Sequence, residues 1–219
     1  MALQDRRVDA QIPYMLSFFC AGVPSRTGAE EILEELGVER KRVTRFRYRG
    51  NGWPGAATAK LADGSERQMS YLASWGGILS RHVQFRCKIC PDGTGNEADI
   101  VCADAWHGDA QGFPLFDEAQ GQSLILSRTA KGEDLVKQAL ATGLLTADPE
   151  PVESLARMQP GQVNRMRVLI ARLSALAVTA QPIPDFRGFR FLQAAREAGF
   201  WSLLKNFLGT GRRVLAGRR

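Results

Sequence analysis

The stretch Val43-Thr-Arg-Phe-Arg-Tyr-Arg49 alternates two kinds of side chain. Thr44, Phe46 and Tyr48 lie on one face, while Val43 and three arginines lie on the other, and this period of two predicts a β-strand. Arginine forks match the geometry of phosphate. The basic face therefore has two interpretations, a solvated outer surface or an anion site, and the pattern alone favours neither.

A tight loop and a hairpin follow this strand. Gly50-Asn-Gly-Trp-Pro-Gly55 holds three glycines and one proline in six residues, which predicts a shaped turn. The loop lacks the Gly-Lys-Ser/Thr ending of a phosphate-binding Walker loop. Further along, Asp63-Gly64 separates 58–61 from 66–69 and predicts a β-hairpin.

The remaining pattern predicts a mixture of strands and helices. Thr27 and Glu30 have the spacing of a capping box and predict a helix that begins at Thr27 and stops at Gly37. The other predicted buried strands are 12–20, 98–101 and 123–127. The other predicted helices are 71–82, 130–141, 161–180 and 189–207. We therefore expect an α+β fold, with a mixed sheet and flanking helices over 1–148 and a helical C-terminal portion over 149–219.

Charge and hydropathy narrow the class of protein. The chain of 219 residues has a net charge of +6, and no apolar run reaches the ~20 residues of a membrane span. Its start does not have the order of a secretory signal, so we expect a cytoplasmic protein. The basic residues concentrate at 40–49 and in the tail, at Arg212, Arg213, Arg218 and Arg219. No nucleic-acid motif accompanies them, so an anionic cofactor or an acidic electron-transfer partner explains the charge equally well.

Four cysteines offer the clearest chemistry. In a cytosolic chain, Cys20, Cys87, Cys90 and Cys102 indicate metal ligands or free thiols before disulfides. Cys87 and Cys90 form a Cys-x-x-Cys pair, a motif that occurs in zinc sites, iron–sulfur clusters and redox dithiols alike. Proline and glycine follow it, which predicts a loop whose amides point at sulfur, as iron-bound thiolates need. A structural zinc site usually takes two such pairs, and here there is one.

Several nearby residues have open roles. Cys20 is either a third ligand or a core cysteine, and for Cys102 the inert strand position is favoured. Asp92, Asp99 and Asp104 are candidates to complete ligation, relay a proton or orient a cofactor. For Asp92, turn formation in Pro-Asp-Gly is the favoured interpretation.

Several segments together resemble a known family, the C-terminal domain of the coenzyme F-420 hydrogenase/dehydrogenase beta subunit. No single motif is specific, but their combination and order are, and they cover roughly 12–145. The segments are Phe19-Cys-Ala-Gly-Val-Pro-Ser25, Tyr48-Arg-Gly-Asn-Gly-Trp-Pro-Gly55, Cys87-x-x-Cys-Pro-Asp92, Ala98-Asp-Ile-Val-Cys-Ala-Asp-Ala-Trp106 and Arg128-Thr-x-x-Gly132.

The resemblance implies an iron–sulfur flavoprotein oxidoreductase, or a fragment of one. Such proteins pass electrons between a 4Fe-4S cluster, FAD and an organic acceptor such as coenzyme F-420. The resemblance implies that Cys20, Cys87 and Cys90 are cluster ligands. It also places one segment near the flavin or substrate, with these residues: Arg47, Arg49, Gly50, Gly52, Trp53 and Gly55. The implied partners are a redox protein, such as ferredoxin or a hydrogenase/dehydrogenase subunit, and a small-molecule acceptor.

Two departures from the family pattern bear on this expectation. The family carries a further cysteine in an upstream Gly-x-Pro-Cys setting, and this chain starts after that point. It then offers three matching cysteines, and Cys102 or Asp92 would have to complete the set. Ala103 stands where the family has a glycine, which hinders a close backbone approach. The alternatives are a non-catalytic metal-binding or basic partner-docking module, with zinc or no metal, and a single-stranded nucleic-acid binder.

Overall fold

A computed structural model describes residue 7 and residues 10–106, 108–109, 114–186 and 188–217. Arg218 and Arg219 of the basic tail lie outside this part. The chain forms two compact units, which we call the first and the second unit. The first comprises Met1–Ala21, Ile89–Pro114 and Ser123–Arg219, and the second comprises Gly22–Lys88 and Leu115–Gln122. The predicted division near residue 148 stays a prediction.

The secondary structure confirms the predicted α+β class. The strands are β1 (Leu16–Phe18), β2 (Val43–Arg47), β3 (Ala57–Leu61), β4 (Glu66–Met69), β5 (Ile100–Asp104) and β6 (Ser123–Ser127). The α-helices are α1 (Arg26–Glu35), α2 (Phe85–Lys88), α3 (Ala130–Ala141), α4 (Leu155–Met158), α5 (Pro160–Val178), α6 (Phe191–Ala195) and α7 (Phe200–Leu215). A π-helix spans Leu72–Leu79, and 3₁₀ turns span Arg40–Arg42 and Val152–Ser154.

The first unit contains a mixed three-stranded sheet in the order β1-β5-β6. Strand β1 runs parallel to β5, with Leu16 opposite Ile100, and β5 runs antiparallel to β6. The expected long buried strand at 12–20 is wrong: β1 has three residues, and Leu16 and Phe18 are 69% and 67% exposed. Among the described residues, strand β1 is an edge strand that pairs with β5, and its Leu16 and Phe18 lie on a face of the sheet that is exposed.

The helices of the first unit begin and end at residues that sequence rules favour. Thr129 caps α3 by accepting the Gly132 N–H, and Gly143, with φ +70°, follows its end. Pro160 occupies the first turn of α5. The single helix expected over 189–207 is wrong, because extended backbone at Gly199 separates α6 from α7 and serves as the N-cap of α7.

The second unit contains an antiparallel sheet in the order β2-β3-β4, which confirms the predicted strand and hairpin. At the hairpin turn, Asp63 accepts the Ser65 N–H at 2.9 Å. The core of this unit consists of side chains from α1, β3 and the π-helix, with Val38 from the turn after α1. They fall into two clusters, Ile32, Ala57, Ile78 and Leu79 in one, and Leu33, Val38, Ala59 and Leu61 in the other.

Two helix predictions in the second unit need correction. Helix α1 is capped at Ser25, so Thr27 lies inside its first turn, and the Glu30 carboxylate pairs with Arg26 at 3.2 Å instead of forming a capping box. The helix expected over 71–82 is a π-helix that contains Gly76 and Gly77. These glycines weaken the regular α-helix, and the wider turn takes its place.

A buried carboxylate connects three segments of the first unit. Asp99 is 3% exposed and precedes β5. It accepts the Met15 N–H at 2.8 Å and the Thr129 hydroxyl at 2.6 Å, and it pairs with Lys131 Nζ at 3.0 Å. Burial by itself raises the pKa of Asp99, but these three donors outweigh it and hold the pKa below its ordinary value.

Replacing this carboxylate tests its structural role. We predict that Asp99→Asn lowers the free energy of unfolding by about 2 kcal/mol, because the buried network loses one of its two acceptor oxygens and the negative charge that pairs with Lys131. Urea unfolding at pH 7 measures the change, and exposed Asp134→Asn in α3 is the matched control.

Wild type and Asp99→Asn also test the direction in which folding shifts the pKa of Asp99. A carboxylate whose pKa is lower in the folded protein than in the unfolded chain stabilises the fold at pH values above its ordinary pKa. This contribution is lost as the pH falls through the pKa of the folded state. The stability difference between wild type and Asp99→Asn should therefore shrink below about pH 4. Two results would contradict the structural role of Asp99. One is a stability difference that grows as the pH falls, and the other is an Asp99→Asn variant that is as stable as the wild type at pH 7.

Candidate functional site

The Cys20 loop of the first unit is fixed by backbone and side-chain bonds. The Cys20 N–H donates to the Gly93 carbonyl at 2.9 Å. The Cys20 carbonyl accepts from Gln162 Nε2 at 2.8 Å and from Arg165 Nη1 at 3.0 Å, and Arg165 Nη2 donates to the Ala21 carbonyl at 2.5 Å. Helix α5 thus holds two successive carbonyls of the loop with the guanidinium of Arg165. We call these contacts of Gln162 and Arg165 the α5 clamp. Sequence reasoning missed these two α5 residues because they lie more than a hundred positions away.

The turn after Cys90 is packed against the same helix. The Cys90 thiol donates to the Asp92 carbonyl at 3.4 Å, and the Asp92 carboxylate accepts the Asn96 N–H at 2.8 Å. Asp92 therefore has the turn role that its Pro-Asp-Gly setting favours. A Cβ at Gly93 would lie 2.5 Å from Gln162 Oε1, so any other residue at this position would have to displace the Gln162 side chain. That oxygen is buried and has no hydrogen-bond partner among the described residues.

Cys87 lies in the second unit, where its sulfur accepts a backbone amide. The Val23 N–H donates to Cys87 Sγ at 3.3 Å. Gly22, with φ +124°, lies close to the same segment, since a Cβ there would lie 2.7 Å from Val83 Cγ1 and 3.3 Å from Cys87 Cβ. Cys87 belongs to the one-turn helix α2, which corrects the expectation that the whole Cys-x-x-Cys pair lies on a loop. An amide aimed at sulfur is the contact that tunes iron-bound thiolates.

The four thiols are free, and three of them are half-buried. These are Cys20, Cys87 and Cys90, whereas Cys102 is exposed on β5, paired in register with Phe18 and Ile125. Over the ranges that the structure describes, no three His, Cys, Asp or Glu side chains gather closely enough to hold a metal ion. The thiols fit an iron–sulfur cluster by ligand type, but their arrangement gives no cluster geometry.

The glycine-rich loop of the second unit uses its arginines internally. Arg49 Nε donates to the Pro54 carbonyl at 3.1 Å, and its guanidinium lies 5.1 Å from the Trp53 ring centre and 5.5 Å from that of Tyr71. Arg47 Nη2 lies 2.8 Å from the Asn51 side-chain oxygen when that amide is oriented to accept it. The structure thus brings both arginines to the loop, and their role beside a flavin stays a prediction.

A carboxylate lies on the backbone of this loop. The Trp53 N–H donates to Glu118 Oε1 at 2.9 Å, and a Cβ at Gly52 would lie 2.7 Å from the same oxygen. The Ala119 N–H donates back to the Trp53 carbonyl at 3.0 Å, and Gly121 lies against the Trp53 ring. No local sequence signal points to Glu118, which lies 65 positions from its partner. The loop amide is therefore able to bind an anionic oxygen.

Positive φ angles shape the loop for this contact. Gly50 and Gly52 have φ of +126° and +139°, a region that L side chains rarely adopt. Gly55 approaches the backbone of Gly50 so closely that an added Cβ would lie 2.6 Å from its nitrogen. The predicted tight loop is confirmed, and its glycines are required by geometry.

Comparison with known proteins gives one match. The family model that matches residues 1–153 describes the C terminus of the beta chain of coenzyme F-420 hydrogenase/dehydrogenase. This match confirms the resemblance drawn from the motifs. A search of curated proteins finds no match. The candidate cysteines and the glycine-rich loop all lie inside the matched span, whereas α5, which holds the Cys20 loop, lies beyond it.

The guanidinium that holds the Cys20 loop can be tested by thiol chemistry. We predict that Arg165→Ala increases the alkylation rate of Cys20 severalfold, because the loop loses two of its hydrogen bonds and opens more often. Mass spectrometry of iodoacetamide-treated, metal-free protein measures the rate at each cysteine. Arg167→Ala in the same helix, which removes a pair with Glu197, is the control. An unchanged alkylation rate of Cys20 in Arg165→Ala would show that Arg165 does not hold the Cys20 loop.

Proposed function

Because the chain belongs to the coenzyme F-420 hydrogenase/dehydrogenase beta-subunit family, we propose that it is an iron–sulfur flavoprotein oxidoreductase, or a fragment of one. In this proposal it passes electrons between a 4Fe-4S cluster, FAD and an organic acceptor such as coenzyme F-420. The family supports the oxidoreductase class and a place in a hydrogenase/dehydrogenase complex. The observation that carries the proposal is the family match over 1–153, which includes three free, half-buried thiols.

Cys20, Cys87 and Cys90 are the proposed cluster ligands. When bound, the cluster supplies one-electron transfer. The chain holds these thiols in place through the α5 clamp on the Cys20 loop, the Val23 amide at Cys87, and the turn after Cys90. A cluster with four cysteine ligands needs one more donor than these three. Asp92 is turned towards the Asn96 amide and Cys102 lies on β5, so neither completes the set in the described arrangement.

The glycine-rich loop is the proposed flavin segment. When bound, FAD exchanges electrons with the cluster and the acceptor. The Trp53 amide already receives the Glu118 carboxylate, next to the positive-φ glycines Gly50 and Gly52. A backbone N–H that receives a carboxylate oxygen can donate to a phosphate oxygen as well. The contact therefore supports a role for the Trp53 amide in binding an anionic part of the flavin or acceptor, and Arg47, Arg49, Gly50, Gly52 and Gly55 complete the proposed segment.

The partners follow from the proposed chemistry. They are a redox protein, such as ferredoxin or a hydrogenase/dehydrogenase subunit, and a small-molecule acceptor. Across the described residues, no helix combines the length and the hydropathy needed to cross a lipid bilayer. The expected cytoplasmic location stays a prediction.

A visible spectrum tests the proposed cofactors. We predict that protein purified without oxygen and reconstituted with iron, sulfide and FAD absorbs broadly near ~400 nm and bleaches with dithionite. Iron, acid-labile sulfide and flavin are assayed on the same sample. Cys90→Ser should lower bound iron, and Cys102→Ser is the matched control that should retain it. A colourless reconstituted protein, or one with stoichiometric zinc, would contradict the redox proposal and favour a non-catalytic metal-binding module.

The loop carboxylate gives a separate test of the flavin segment. We predict that Glu118→Gln binds FAD severalfold more tightly than wild type, because it removes a negative charge that competes for the Trp53 amide. Flavin fluorescence quenching measures the affinity. The neighbouring exposed residue provides the control, Asp117→Asn, which removes the same charge without a contact to the loop. Equal affinities in the two variants would show that FAD does not use this amide.

A further inference from the structure

Helix α7 presents an apolar seam to solvent. Trp201, Leu208 and Leu215 recur every seven residues and are 77%, 58% and 83% exposed. Leu204 and Gly211 lie between them, so the five positions follow the 3-4 spacing of a heptad seam. The helix buries Thr210 and Val214 and packs against α5. The exposed seam residues lie on a neighbouring face, so this packing leaves Trp201, Leu208 and Leu215 largely uncovered.

Cations border this seam. Lys205 and Arg212 directly follow two seam positions, Leu204 and Gly211, and both side chains are exposed. In a heptad these flanking positions choose the partner helix through opposite charge. Helix α7 contains no Asp or Glu, so its seam has a single sign of charge.

A groove beside the seam gives it shape. It lies between α5 and α7, has a volume of about 630 Å³, and is lined mainly by apolar groups, among them Ala175, Val178, Phe207 and Leu215. Gly211 also lines the groove, and a Cβ added there would meet nothing within 4 Å in the described structure, so the groove is open at this position. A facing helix can therefore approach closely here, since the distance between packed helices depends on the side chains at their contact. All of these residues lie beyond the family match, which ends at residue 153.

We propose that α7 docks an amphipathic helix of a partner protein, one with an apolar seam bordered by aspartate or glutamate. A second copy of this chain is disfavoured: an antiparallel pair would place Lys205 and Arg212 opposite like charges, and a parallel pair would place them opposite apolar positions such as Phe207. A lipid surface would cover Trp201 and the leucines but would not fill the groove between α5 and α7. The partner helix satisfies the seam, the groove and the charge together. This proposal is independent of the proposed redox function.

The test uses a synthetic probe peptide of three heptads, with Leu at the seam positions and Glu at the flanking positions. We expect saturable binding to the full chain at a stoichiometry of one to one, measured by calorimetry. The charge reversal Lys205→Glu/Arg212→Glu should weaken binding at least about tenfold, and Leu208→Asp at least as much. Leu192→Asp is the control, since Leu192 is also exposed but lies on α6. Circular dichroism verifies that each variant is folded.

Several results would overturn the proposal. The first is peptide binding that these substitutions do not change, or no binding at all. The second is binding of vesicles rich in phosphatidylglycerol, but not of the peptide, with loss of vesicle binding in Leu208→Asp. The third is a concentration-dependent dimer, seen by light scattering, that Leu208→Asp dissociates. A peptide with Lys in place of Glu should fail to bind, and its binding as tightly as the acidic peptide would equally contradict the charge argument.

Discussion

The Asp99 carboxylate receives three donors from two segments that are distant from it in sequence. It accepts the Met15 amide just before β1 and the Thr129 hydroxyl at the start of α3, and it pairs with Lys131 in the first turn of that helix. A buried carboxylate is costly unless such donors satisfy it. Gly132 completes the arrangement, since a Cβ there would lie 2.3 Å from the Asp99 carbonyl oxygen. The first unit thus depends on one charged group that fixes an edge strand and a helix against β5.

This arrangement explains two of the motifs on which the family resemblance rests. Two segments meet at one packed contact, the segment that contains Asp99 and the segment Arg128-Thr-x-x-Gly132. The residues of both motifs therefore have a structural role in the first unit. The same contact positions β1, and the chain continues from β1 into the Cys20 loop. Helix α5 then holds that loop through Gln162 and Arg165. The position of the Cys20 thiol therefore follows from a buried ion pair at one end of β1 and a guanidinium clamp at the other.

Local patterns in the sequence predicted local structure, and contacts between distant residues set the rest. Alternation at 43–49 and the Asp63-Gly64 turn were sufficient for β2 and the hairpin, because strand period and turn chemistry are local. The strand expected at 12–20 spans three residues because its pairing with β5, the neighbour found among the described residues, covers Leu16–Phe18, and its own sequence does not reveal where that pairing ends. The break at Gly199 and the cap at Ser25 depended on backbone conformation at single residues. The Glu118 contact with Trp53 and the α5 clamp on Cys20 join residues far apart in the chain, so no spacing rule points to them.

The proposed ligation of a 4Fe-4S cluster by Cys20, Cys87 and Cys90 is tested most directly by low-temperature electron paramagnetic resonance of the dithionite-reduced, reconstituted protein. We predict the signal of a reduced cluster in the wild type, its loss or a marked change of shape in Cys20→Ala, and an unchanged signal in Cys102→Ala. The absence of a cluster signal in the reconstituted wild type would contradict the proposed ligation. An identical signal in all three proteins would exclude Cys20 as a ligand.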